Sequence, residues 1–179
     1  LRKMIDAGNI SSFILWGPPG VGKTTLARII ASKLDRPFYT LSAISSGVKD
    51  IRDVIEKSKN TTLFNTTSPI LFIDEIHRFS KSQQEARLGA VEDGTFTLIG
   101  ATTENPSFEV ISPLLSRCQV YVLKEMSVEN LDTLLQRALT QDEYLKKQKI
   151  TVTEKELLFR YSGGDARKLL NIIEIITSS

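Results

Sequence analysis

The sequence is poor in the residues that staple small folds. It has one cysteine, Cys118, one histidine, His77, and one tryptophan among 179 residues. A single thiol excludes a disulfide framework, and it cannot build a cysteine-rich zinc module. The lone histidine has no cluster of cysteines and acids beside it, which argues against a metal site there. No stretch approaches the roughly 18 uninterrupted apolar residues of a membrane helix, and no signal-peptide pattern precedes the first apolar run. Charge is nearly balanced, with 23 basic and 21 acidic residues and a formal net charge of +2. That excess is too small to name a partner. A hydrophobic content of 41% excludes a disordered chain, and the length suits one solid core with a small appended lobe.

The charge is unevenly spread. Residues 1–60 hold ten basic against five acidic side chains, residues 61–125 hold five against eight, and the remainder is even. Periodicity also shifts. Up to Lys124, short apolar runs alternate with helical patterns, which reads as βα units on a parallel sheet. The predicted strands are Phe13–Trp16, Phe38–Leu41, Ile70–Asp74, Thr97–Ala101 and Gln119–Leu123, with helices over Lys23–Leu34, Val48–Lys59 and Ser82–Glu92. Beyond Lys124 only helices are credible. Thr153-Glu154-Lys155-Glu156 reads as a capping box, and Asp165 as the N-cap of a last helix from Ala166 to Thr177. Because that helical pattern runs almost to the last residue, the chain is expected to be a piece of a longer protein. Two Asn-x-Thr sequons, at Asn60 and Asn65, read as chance in a chain without a secretory signal.

Gly17-Pro18-Pro19-Gly20-Val21-Gly22-Lys23-Thr24 matches the phosphate-binding pattern G-x-x-x-x-G-K-[ST] at every fixed position. It follows an apolar strand and opens a helix, which is the context the pattern requires. Glycines let the backbone fold into a nest of N–H groups around phosphates, and the helix start points its positive dipole end at them. Lys23 can reach the β- and γ-phosphates, and the Thr24 hydroxyl can ligate Mg²⁺. With Thr25, the segment forms the candidate ATP-binding stretch.

Ile70-Leu71-Phe72-Ile73-Asp74-Glu75 ends four apolar residues in two carboxylates. Such a run suits a central parallel strand buried on both faces, whose end falls at the rim where ligands bind. Asp74 would hold Mg²⁺ through its waters, and Glu75 would activate the attacking water. The same residues would also make a strand followed by a solvated acidic turn; the P-loop upstream favours the metal site.

The two motifs and the all-helical tail resemble an AAA+ ATPase module with its small lid. Within that superfamily, five blocks resemble the RarA/MgsA replication-associated recombination proteins and the eukaryotic Werner-helicase-interacting ATPase. They are ILWGPPGVGKTTLARIIA, LSAISSGVKDIRDVIE, ILFIDEIHRFSKSQQEA, LIGATTENPSFEVISPLLSRCQVYVL and SGGDARKLLN. The resemblance implies a five-stranded parallel sheet flanked by helices over residues 1–124, truncated at its start, and a helical lid over residues 125–179. It assigns Thr103 to the sensor that contacts the γ-phosphate or attacking water. Arg117 matches an arginine finger acting on a neighbouring subunit, and Arg167 a second sensor reaching from the lid. Cations held near a transferring phosphoryl group stabilise its charge, and the guanidinium fork suits phosphate oxygens. Arg117 would equally serve as a surface charge, and Arg167 as an ion-pair partner of Asp165.

The resemblance further implies Mg²⁺-dependent ATP hydrolysis, stimulated by DNA and coupled to remodelling of DNA or replication proteins at stalled forks. It implies a homo-oligomer, a tetramer in the intact protein, acting on forked, gapped or single-strand/double-strand junctions beside single-strand-binding and replisome proteins. The location implied is the bacterial cytoplasm near the nucleoid, or the nucleus if eukaryotic, with no membrane partner. Gly47, Lys49 and Arg52 are candidate backbone contacts for DNA, because a helix start with two cations suits phosphate without reading bases; Asp53 and Glu56 could neutralise that face instead. Two other readings stand beside this one. A RuvB-like branch-migration motor or clamp-loader subunit shares DEIHR and GATT, although ENPSFEV and SRC pull away from RuvB. A nucleotide-binding scaffold without turnover has no chemical need for Lys23, Asp74, Glu75 and Arg117 together. Cys118 reads as a small buried hydrophobe and His77 as part of a structural link. Arg87 interrupts an apolar helix face, and no role follows for it.

Overall fold

The computed structural model describes residues 1–42, 68–148 and 150–177, except for the side chains of residues 86, 87 and 90. The predicted helix Val48–Lys59, with Gly47, Lys49 and Arg52, lies outside the described residues, as does the side chain of Arg87.

The chain divides into two compact units. One comprises residues 1–16 and 23–122, the other residues 17–22 and 123–179. In the first, α1 (Arg2–Asp6) precedes β1 (Phe13–Trp16), α2 (Lys23–Lys33), β2 (Phe38–Ser42) and β3 (Ile70–Asp74). A single 3-10 turn, Ile76–Arg78, leads to α3 (Lys81–Glu92) and β4 (Thr97–Thr102). Two short helices, α4 (Pro106–Glu109) and α5 (Ser112–Leu115), then lead to β5 (Gln119–Val122). The described strands form one sheet in the order β2-β3-β4-β1-β5, and every pairing is parallel.

Burial explains the order. All of β4, and all of β3 except Asp74, is buried, and Phe13, Ile14 and Leu15 of β1 are as well. These near-continuous apolar runs occupy the centre, as strands covered on both faces must. β5, with Val120 and Val122 exposed, is an edge. On α2 the buried face is Ala27, Ile30 and Ala31, at helical spacing. The helix ends one residue earlier than expected, and Asp35 follows in the left-handed conformation at φ 49°. β2 and β4 each run one residue beyond expectation, whereas β5 stops one short.

Helix ends tell more. α3 begins at Lys81, one residue early, because Ser80 and Gln83 form a capping box. The box expected at Thr153 does not form. The second unit contains α6 (Val128–Gln141), α7 (Glu143–Lys147), α8 (Lys155–Ser162) and α9 (Ala166–Thr177). α8 starts after Glu154, which makes no side-chain capping bond, and Lys155 instead pairs with Asp132 of α6 at 2.8 Å. Asp165 does cap α9, accepting the Lys168 N–H at 3.0 Å. Leu131, Leu135, Phe159, Leu169 and Ile173 make the core of this helical unit. No described helix is long and apolar enough to cross a membrane.

Candidate active site

The carboxyl ends of β3 and β4 lie side by side, with Ile73 opposite Gly100. Asp74 ends β3 and Thr102 ends β4, so the register brings Asp74, Glu75, Thr102 and Thr103 to one rim. α2, which carries Lys23 and Thr24 in its first turn, packs against β3 and β4. This is the rim at which α/β sheets bind ligands. Asp74 Oδ1 accepts the Glu75 N–H at 3.1 Å, and the Glu75 carboxylate pairs with Arg78 Nε at 2.7 Å. Thr103, just beyond the strand, is half-buried.

The loop Gly17–Gly22 runs between β1 and α2 in the chain and groups with the helical unit. Gly20 and Gly22 take φ 70° and 90°, the left-handed region that a side chain disfavours. A Cβ on Gly17 would strike the Leu123 carbonyl, and one on Gly20 would strike the Asp165 carboxylate. The Ala166 N–H donates to the Gly20 carbonyl at 3.2 Å, so the first turn of α9, which carries exposed Arg167, rests on this loop. Asp165 caps α9 rather than pairing with Arg167 in any described ion pair. Pro18 and Val21 are half-buried, while Pro19 and Thr25 are exposed.

These features fit a magnesium nucleotide. Gly20 and Gly22 take the positive φ that anion nests use. The Thr24 hydroxyl and Asp74 carboxylate are hard oxygen donors of the kind Mg²⁺ takes beside phosphates and water.

Arg117 stands elsewhere. It precedes β5, at the amino ends of the strands, with Ser12, Ser68 and Thr97 lining the same open cavity of about 570 Å³. Its guanidinium donates to the Pro113 carbonyl at 2.7 Å and pairs with Glu92. A strand of this length separates the two rims by roughly 15 Å. Arg117 and Glu75 are therefore not brought together within one chain. Cys118, next to it, packs on the sheet's core, and burial pushes its thiol up to about 11.

Residues 13–126 match the family of ATPases associated with various cellular activities, AAA. The chain belongs to the AAA family. Among similar AAA proteins, replication-associated recombination protein A of Haemophilus influenzae is 48% identical over 98% of this chain and 40% of its own length. ATPase WRNIP1 of Dictyostelium discoideum is 47% identical over 98% of this chain and 20% of its own. The chain thus spans about two fifths of the recombination protein it matches. Among solved structures, the Thermotoga maritima RuvB Holliday junction branch migration motor has a TM-score of 0.75 at 32% identity, over 97% of this chain and 57% of that one. The likeness to the recombination proteins and the AAA fold, both expected from the residue blocks, are borne out.

At the carboxyl rim, Thr102 and Arg78 escaped the sequence reading, whereas the sequence marks His77 as part of a structural link. Thr102 is buried and bonds His77, while Arg78 pairs with Glu75. One signal was available: a threonine inside a strand buried on both faces needs a hydrogen-bond partner.

Proposed function

We propose that the full-length protein hydrolyses ATP as an oligomer, coupled to remodelling DNA or replication proteins at stalled forks and stimulated by DNA. The observation that carries this reading is the separation of charges across one sheet. Asp74 ends β3 beside the end of β4 and Glu75 follows it, whereas Arg117 stands at the opposite rim. A finger at that position serves a neighbour's nucleotide, and so calls for a second subunit.

The loop Gly17–Gly22 binds the phosphates through backbone N–H groups, and Lys23 neutralises their charge. Thr24 and, through its waters, Asp74 would hold Mg²⁺, which when bound would supply Lewis-acid stabilisation of the phosphoryl oxygens. Glu75 accepts a proton from the attacking water, Thr103 orients that water, and Arg117 of the adjoining subunit stabilises the transition state. Arg167, on the helix whose first turn bonds Gly20, reports nucleotide to the lid. DNA is gripped by Gly47, Lys49 and Arg52 through its phosphates, at forks, gaps or strand junctions. Names of relatives support the setting: replication-associated recombination protein A, 48% identical, lends it recombination and replication.

The deciding experiment measures ATP turnover by the full-length oligomer with and without forked DNA, alongside Glu75→Gln. Turnover that survives Glu75→Gln overturns the mechanism. Reversing the charges of Lys49 and Arg52 should flatten the DNA stimulation and its salt dependence; unchanged behaviour removes them from the DNA site. A second reading, a branch-migration motor, is favoured by the fold likeness to RuvB. Directional migration of a four-way junction would select it.

A further inference from the structure

The turn after Asp74 has an uncommon backbone. Glu75 lies in the left-handed region, with φ 51° and ψ 50°. A residue with a side chain stays there only where its surroundings hold it, and such strain gathers at functional sites. Three kinds of contact do the holding. Ile76 and Phe79 are buried in the core, Arg78 pairs with Glu75, and the His77 imidazole bonds Thr102 through Nδ1 at 3.0 Å. Of these polar contacts, the His77 bond leaves the turn and reaches the end of β4.

The donor count fixes the sense of that bond. The Thr102 hydroxyl gives its one proton to the Glu104 carbonyl at 3.1 Å and accepts the Glu104 N–H at 3.0 Å. One lone pair remains, so Nδ1–H of His77 donates to it. Thr102 is 1% exposed, so water does not readily replace the imidazole. Breaking the bond leaves a buried oxygen short of a partner, a stronger constraint than the exposed Arg78–Glu75 pair supplies. Thr103 is the next residue along the chain.

We infer that His77 is a positioning residue for hydrolysis: its Nδ1 bond to Thr102 couples the β4 end that carries Thr103 to the left-handed turn that carries Glu75. Base and sensor then keep one spacing about the attacking water. The inference rests on the hydrolytic reading above, and it gives the only histidine in the sequence a role beyond a structural link.

The test uses the full-length protein and measures steady-state ATP turnover, with nucleotide binding read separately from a fluorescent ATP analogue. His77→Ala should lower kcat about tenfold or more, the scale on which small misplacements act, while KM and analogue affinity stay within about twofold. In His77→Asn the side-chain Nδ2 stands where Nδ1 stood, and most of the lost kcat should return. Thr102→Val, which also loses the two bonds to Glu104, should lower kcat at least as much as His77→Ala, and the double variant should be no slower than Thr102→Val alone, because the bond between the two side chains is already gone. A kcat for His77→Ala equal to the parent's overturns the inference, as does a double variant in which the two losses multiply. So does a loss that His77→Asn fails to restore. If His77→Ala does not fold, Thr102→Val against Thr102→Ser reads the same bond from its other end. Glu75→Gln in the same assay separates the two failures. If it turns over normally, the hydrolytic reading falls; if it is inactive while His77→Ala is normal, only the positioning role falls.

Discussion

At the carboxyl ends of β3 and β4, charged groups are held by contacts within one short turn. At the amino ends of the same strands, a guanidinium ties separate segments together. Glu75 is paired with a residue three positions on, and its backbone is left-handed. Arg36, by contrast, donates to the Ser68 hydroxyl at 2.7 Å and to the Thr97 hydroxyl at 2.6 Å, joining the stretches before β2 and β3 to the start of β4. Half-burial there lowers the pKa of Arg36, a cost its hydrogen bonds offset. One rim thus holds its charges on a short left-handed turn, and the other braces the sheet. Arg117 belongs to the braced rim by position, yet it is exposed, and among the described residues its guanidinium is fastened by Glu92 and its own segment. That combination suits a group presented to another molecule.

The sharpest way to break this contrast is to disable each rim in turn. Arg117→Ala should cut ATP turnover about a thousandfold or more, the range of arginine fingers. Mixing it with Glu75→Gln should then restore a measurable fraction, because an interface between the two carries one intact base and one intact finger. If no mixture recovers activity, the finger does not work between subunits. Glu75→Gln by itself should slow turnover by about 10² to 10⁴ while ATP remains bound; loss of binding instead would make the carboxylate a ligand contact.

Loss of stability without loss of turnover should mark the bracing rim. Arg36→Met should destabilise the protein by about 2 kcal/mol in chemical denaturation, since two hydroxyls lose a charged donor. Turnover per folded molecule should hold. A drop in kcat without loss of stability would mean that the rims are coupled. Smallest is the behaviour of Cys118. With its pKa raised to about 11 by burial, the thiol remains protonated through pH 7 to 9, and alkylation should be slow until denaturant exposes it. Rapid labelling of the folded protein would contradict that burial.

Much of this was legible in the residue order because it is encoded locally. The P-loop spacing, the apolar run ending at Asp74 and the cap at Asp165 are signals within a few residues, and each appears where expected. Errors arose where a side chain had two partners to choose from. Thr153-x-x-Glu156 and Ser80-x-x-Gln83 are the same kind of box on paper, but only the second forms. Near the first, Lys155 is drawn to Asp132, more than twenty positions away in sequence.

By itself, then, the sequence determined the parallel α/β class, the phosphate loop, the carboxylate-ended strand and the helical character of the tail. These follow from periodicity and from the fixed chemistry of glycine, lysine and aspartate. Only the tertiary structure decided that Arg117 shares the amino-end rim with Ser68 and Thr97, that Thr102 bonds His77, and that Arg36 joins three segments. The physical reason is that strand order and register pair residues far apart in the chain. A buried polar atom takes its partner from whatever that pairing brings within 3 Å.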